Sequence, residues 1–168
     1  KAIKANATAE LIEKKSRFIA NIFYVENVDE AENYIKQIKK KYYDAKHNCF
    51  AFSIIEENNV ILKSSDDAEP SGTAGEPILN VIKKNNLKNI LIVVTRYFGG
   101  ILLGTGGLVR AYTSSARLGI DAAGVCNVTQ MAVMNIKMDY SFLSKLQNFS
   151  EKGLFKIEDI IYEDMITA

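Results

Sequence analysis

The run Asn89-Ile-Leu-Ile-Val-Val-Thr-Arg-Tyr-Phe-Gly-Gly-Ile-Leu-Leu-Gly-Thr-Gly-Gly107 decides the fold. From Asn89 to Thr95 every interior residue is apolar, and β-branched residues dominate. A strand buried on both faces reads this way, so the run predicts a strand at the centre of a sheet. The glycines follow at once. Five of the ten in the chain, Gly99, Gly100, Gly104, Gly106 and Gly107, fall within nine residues. Tight turns or close backbone approach need that freedom; an ordinary surface loop does not. A helix follows from about Gly107 to Ala123, with Gly124 placed to end it. The centre is therefore a strand, a glycine turn and a helix.

Upstream, Thr8–Glu13 and Arg17–Val25 read as a hairpin joined by Lys14-Lys15-Ser16, the second strand apolar enough to be covered on both faces. A helix is expected next. Val28, Ala31, Ile35, Ile38 and Tyr42 recur at helical spacing, and Asp29 with Glu32 suggests a capping box. Its last turns carry Lys36, Lys39, Lys40 and Lys41, which suit a helix carboxyl end as well as an anionic partner. A second hairpin spans Cys49–Glu56 and Val60–Lys63, turning at Glu57-Asn58-Asn59. After an irregular stretch, Pro77 is expected to open a helix reaching Asn85, because proline at the first helical position loses no hydrogen bond. From Met131 the pattern restarts as a strand to Tyr140, a helix over Ser141–Lys152 and a strand over Phe155–Glu163. This predicts two domains, residues 1–130 and 131–168. The tail is too short to fold alone, and reads as part of a larger domain. Residues 132–168 hold four lysines against six acids, net −2, which leaves +3 for the rest.

The composition excludes several classes. The 168 residues are 48% hydrophobic and 24% charged, enough to bury a core. The net charge of +1 supplies no global field toward nucleic acid or membrane, so such contacts need a local patch. No run approaches the length of a membrane helix, and the first residues lack the apolar core of a signal peptide, so a cytoplasmic protein without a membrane partner is expected. Cys49 and Cys126 lie in apolar surroundings and read as buried free thiols. One histidine and two distant cysteines cannot build a standard zinc site or a Ser-His-Asp machine.

Two segments carry the candidate chemistry. In the first, Ser65 to Pro77, the acids Asp66, Asp67 and Glu69 stand beside Ser71 and Thr73, and both prolines of the chain fall there. Such carboxylates suit Mg²⁺ shared with a phosphate, or a general base; equally, they suit capping of backbone N–H groups in an ordered loop. The second segment is Arg96 to Tyr112. Its glycines (Gly99, Gly100, Gly104, Gly106, Gly107) lead to a helix amino end, where free N–H groups face an anion, and Arg96 and Arg110 flank the turn as phosphate donors. The turn is neither a Walker loop nor GxGxxG, because Val109 stands at the last position. A tightly packed turn explains the same glycines. His47 suits an acid–base role or a structural hydrogen bond. Tyr97 and Phe98 suit base stacking or core packing.

Together, His47-Asn48-Cys49-Phe50-Ala51, Ser65 to Pro77 and Arg96 to Tyr112 resemble the signature of the IMPACT/YigZ family in order and spacing. One departure is Ala68, where the family has Gly; at positive φ an alanine is strained by about 1 kcal/mol. The resemblance implies an α+β protein. Its first domain would be two-layered, like a ribosomal protein's second domain and part of elongation factor G. Its second would be ferredoxin-like, of which 131–168 is a part. Eukaryotic relatives in that family regulate translation, and bacterial ones are suspected to act near the ribosome. The resemblance therefore implies a translation-associated regulator that binds RNA, the ribosome or a translation factor through the basic, glycine-rich site, with binding favoured over catalysis. The alternative is binding or turnover of a phosphorylated small molecule at the glycine turn, with Mg²⁺ held by the acidic loop and His47 assisting. Apolar strands at 132–138 and 155–162 with unpaired edges would favour a homodimer.

Overall fold

The computed structural model describes residues 1–57, 59–129 and 131–167. In chain order the elements are β1 (Ala2–Ile3), β2 (Ala7–Glu13), β3 (Ser16–Tyr24), α1 (Val28–Lys41), β4 (His47–Glu56), β5 (Asn59–Ser65), α2 (Gly75–Lys84), β6 (Ile90–Tyr97), α3 (Gly104–Ala123), β7 (Val125–Cys126), β8 (Lys137–Met138), a 3₁₀ turn (Tyr140–Phe142), α4 (Leu143–Glu151), β9 (Ile161–Tyr162) and β10 (Ile166–Thr167). Two units divide the chain, Lys1–Val128 and Thr129–Ala168.

In the first unit five strands form an antiparallel sheet in the order β2-β3-β6-β4-β5, so the apolar run is its centre. Because β6 is flanked on both sides, Ile90 to Arg96 are all buried. Side chains alternate across the sheet. Phe18, Ala20, Ile22, Cys49, Ala51, Ile92 and Val94 point into one cluster with α2 and α3. Phe50, Phe52, Ile54, Leu91 and Val93 point into a second, with Ala31, Ile35 and Ile38 of α1. Helices thus cover both faces. The first unit is three-layered, a correction to the two-layer expectation, and its reason is the apolar stripe of α1, which needs a sheet face of its own. A two-stranded pairing of β1 with β7 sits beside it.

The local signals differ from expectation at the helix starts. Asn27, not Asp29, caps α1: its side chain accepts from the Glu30 N–H at 2.8 Å, while the Glu30 carboxylate accepts from the Glu26 N–H. Helix α2 begins two residues before Pro77, with no side-chain hydrogen bond from its cap residue Ala74. Helix α3 begins at Gly104, also without a side-chain cap. It ends at Gly124, whose φ of 66° only glycine adopts freely. Asn58 of the second expected turn lies outside the described residues.

In the second unit α4 forms as expected, but the strands over 131–140 and 155–163 shrink to Lys137–Met138 and Ile161–Tyr162, each paired to β10. A strand exists only where a ladder partner stands beside it, and β10 offers two residues. Mixed α+β architecture with antiparallel sheets describes both units. Among the described residues no helix is long and apolar enough to cross a membrane.

Candidate functional site

Sheet register brings the two signature segments together. Arg96 of β6 lies opposite Phe18 of β3 and His47 of β4, so it points into the α2/α3 face. There its Nη1 donates to Glu69 Oε1 at 2.7 Å, with side chains 8% and 3% exposed. The Tyr112 hydroxyl donates to the same oxygen at 2.8 Å, and the Cys49 thiol donates to Tyr112 at 3.3 Å and to the Asp66 carbonyl at 2.9 Å. The guanidinium is flanked by the rings of Phe18 and Phe98 at 5.6 and 5.7 Å, and its Nε is buried without an acceptor among the described residues. Burial pushes the Cys49 thiol up to about 12 and raises the Tyr112 phenol far above its ordinary value, so both stay protonated. Both side chains are fully buried. Cys126 is only half-buried, a correction to its expected burial.

The acidic loop is built the same way. Asp66 accepts from the N–H groups of Gly72 at 2.8 Å, Ala74 at 3.0 Å and Gly75 at 2.8 Å. Burial raises its carboxyl, but those three N–H bonds outweigh it and hold the group below its usual value. Asp66 is therefore the cap that the first turn of α2 lacks from Ala74. Asp67 accepts from Lys39 Nζ of α1 at 2.6 Å and from the Asn48 N–H at 2.7 Å. The His47 Nδ1 lies 3.0 Å from the Asp67 carbonyl. Asp67 and Ala68 both adopt positive φ, 43° and 68°, so Ala68 holds the strained position. Asp66, Asp67 and Glu69 each have protein partners, and none presents a free pair of oxygens to a metal. Among the described residues no group of three or more acids, histidines or cysteines is arranged to hold one.

The glycine turn does face outward. Gly99 sits against the β2–β3 turn so tightly that a Cβ there would fall inside the backbone of Lys15 and Ser16, and its N–H donates to Ser16 Oγ at 3.2 Å. Gly100 and Gly104 adopt φ of 84° and 69° in open space. Gly107 packs on Leu103, whose side chain a Cβ would approach to 3.0 Å, and Gly106 faces Arg110 Nη1. Arg110 is exposed, as expected, but Arg96 is not; the two arginines do not flank a common anion, because sheet register buries the first. A cavity of about 230 Å³ opens beside the turn, lined by Leu11, Lys14, Leu103, Gly107, Arg110 and Ser114 among others. Phe98 is 56% exposed, so it does not pack in the core. The Tyr97 hydroxyl donates to Asp44 at 2.7 Å, which pushes the phenol up to about 12. In sequence Tyr112 only ends the second signature segment; the signal for its inward role is its helical spacing from Leu108 and Ala116 on the buried face of α3.

Residues 14–120 match the Impact N-terminal domain model. The chain belongs to the IMPACT family. IMPACT family member YvyE of Bacillus subtilis is 43% identical over 98% of this chain and 75% of its own length. IMPACT family member YigZ of Escherichia coli is 34% identical over 80% of this chain and 66% of its own. A solved structure described as that of a hypothetical protein superposes with a TM-score of 0.72 at 30% identity, covering 99% of this chain and 81% of that one. The His47-Asn48-Cys49, Ser65–Pro77 and Arg96–Tyr112 segments of this IMPACT chain all fall within the matched domain. They make up the buried network, the α2 cap and the glycine turn.

Proposed function

We propose that this IMPACT-family chain is a translation-associated binding module that contacts structured RNA of the ribosome, and that the contact is the lysine-rich end of α1. The observation that carries the reading is local. Lys36, Lys40, Lys41 and Lys46 are exposed in the last turns of α1 and the loop that follows it, and among the described residues none has a carboxylate partner. Tyr43 stands among them in sequence, 85% exposed, and Lys41 lies over the Tyr42 ring at 5.1 Å. Ammonium groups without carboxylate partners suit a phosphate backbone, and an exposed ring such as Tyr43 suits an unstacked base. Lys39 joins this edge to the signature loop through Asp67. We read Thr129–Ala168 as part of a ferredoxin-like domain, supported by α4 and the antiparallel order β8-β10-β9. The phosphorylated-metabolite alternative has less support, because Arg96 and Glu69 are buried against each other and Asp66 serves as a helix cap.

The test is binding to ribosomes and to structured RNA across a salt titration. Affinity is expected to fall linearly in log–log form. Lys40→Glu/Lys41→Glu should weaken it by more than about tenfold and lower the slope by about 1 for each phosphate no longer neutralised. A flat salt response, or a pair variant that binds like the parent, rejects the reading.

A further inference from the structure

The turn between β6 and α3 holds apolar side chains out in water. Phe98 is 56%, Ile101 42% and Leu102 83% exposed. Isolated exposed leucines are ordinary, but three large apolar groups in one short turn are not. The backbone presenting them is pinned: Gly99 is clamped on Lys15 and Ser16, and Leu103 is buried at the start of α3. A connection alone needs neither the clamp nor the apolar residues. The surround is cationic. Lys14 and Lys15 are exposed with positive φ in the facing turn, Arg110 is exposed, and Lys14 and Arg110 both line the adjoining cavity. Glu13 is the one acid lining that cavity. An apolar centre with a basic rim is the anatomy of a protein interface. Ile101 and Leu102 give a nucleic acid nothing to stack on or hydrogen-bond to, and burying them against phosphates would gain little.

We propose that the Phe98–Leu103 turn and its adjoining cavity form a docking site for an acidic, amphipathic segment of a partner protein. Its apolar side chains cover Phe98, Ile101 and Leu102, one of them entering the cavity against Leu11 and Leu103, while its carboxylates meet Arg110, Lys14 and Lys15. The site uses none of the lysines of the α1 edge, although Tyr97 beside Phe98 reaches Asp44 next to that edge; Leu102→Asp and Lys40→Glu/Lys41→Glu therefore test the two readings apart.

The experiment titrates the full isotope-labelled chain with a short synthetic peptide of alternating Glu and Leu/Phe turns, and with its charge-inverted counterpart carrying Lys for Glu, while amide shifts are followed. The acidic peptide is expected to shift the amides of 98–103 and 107–111; the basic one is not. Leu102→Asp should weaken binding by about tenfold or more, as loss of a central anchor does. Arg110→Glu should reverse the preference between the two peptides. Equal response to both peptides, shifts confined to other surfaces, or binding unaffected by Leu102→Asp overturns the proposal. So does an oligonucleotide that shifts the same amides with a steep salt dependence, or concentration-dependent self-association that Leu102→Asp abolishes, since the occupant is then RNA or a second copy.

Discussion

The two signature segments have opposite characters. Ser65–Pro77 looks chemical in sequence, with four carboxylates and three hydroxyls, yet three of its acids turn inward or along the backbone: Asp66 to three N–H groups, Asp67 to Lys39 and Asn48, Glu69 to Arg96 and Tyr112. Arg96–Tyr112 looks structural, a glycine-rich link between strand and helix, yet it leaves Phe98, Ile101 and Leu102 in water. The charged residues hold the unit together and the apolar ones face outward. Residue type alone misassigns both, because a buried ion pair and an exposed leucine are decided by register and by backbone clamping.

The contrast can be broken most forcefully at the buried pair. Arg96→Met leaves the Glu69 carboxylate buried with only Tyr112 and should cost about 3–5 kcal/mol, read by urea denaturation. The double variant Glu69→Met/Arg96→Met should recover most of that, since an apolar pair replaces two desolvated charges. A single variant within experimental error of the parent would show that the pair is not structural. Next in size is the clamp. Gly99→Ala places a methyl group inside the Lys15–Ser16 backbone and should cost about 1–3 kcal/mol, with the damage also read as displaced amide signals in the β2–β3 turn. Gly106→Ala, whose Cβ meets only Arg110 Nη1 at 3.6 Å, should be close to neutral.

Asp66 tests the acidic side of the contrast. Its folded-state carboxyl lies below its usual value, so the stability it contributes is present above the ordinary carboxylate range and is lost as pH falls through the lower, folded value. Asp66→Asn should cost about 1 kcal/mol at neutral pH, as loss of a helix cap does, and should flatten the acid limb of the stability–pH curve. An unchanged acid limb would show that Asp66 does not cap α2. The smallest effect sharpens the picture. Ala68 sits at φ 68°, and Ala68→Gly should stabilise by roughly 1 kcal/mol in thermal unfolding without moving RNA affinity.

Much of the first unit is legible in the sequence. The apolar run marks the central strand, the two hairpins fall within two residues of expectation, and Gly124 stops α3 where its position suggests. The helix caps are harder. Asn27 and Asp29 are both good caps two residues apart, and only the chain path chooses between them. The third layer depends on α1 packing on β4 and β6 rather than beside the other helices. In the site, the acidic loop meets the strand that leads into the glycine turn at Glu69 and Arg96, both buried. Nothing in the sequence says that Arg96 pairs with Glu69, a partner 27 positions earlier, because the contact depends on strand order. The tail is least legible: its apolar runs have strand composition, but ladder partners set how much of each becomes strand.

The strand order carries a consequence for synthesis. Hairpins β2–β3 and β4–β5 are complete by residue 65, yet they never touch each other in the sheet; β6 lies between them and leaves the ribosome later. Until it does, β3 and β4 each present a bare, apolar edge, the kind of surface that pairs with neighbouring chains. Arrival of one eight-residue strand then closes two ladders at once. Folding of the first unit should therefore be late and abrupt along the nascent chain, with residues 90–97 as its trigger and the preceding segment as its most aggregation-prone stage.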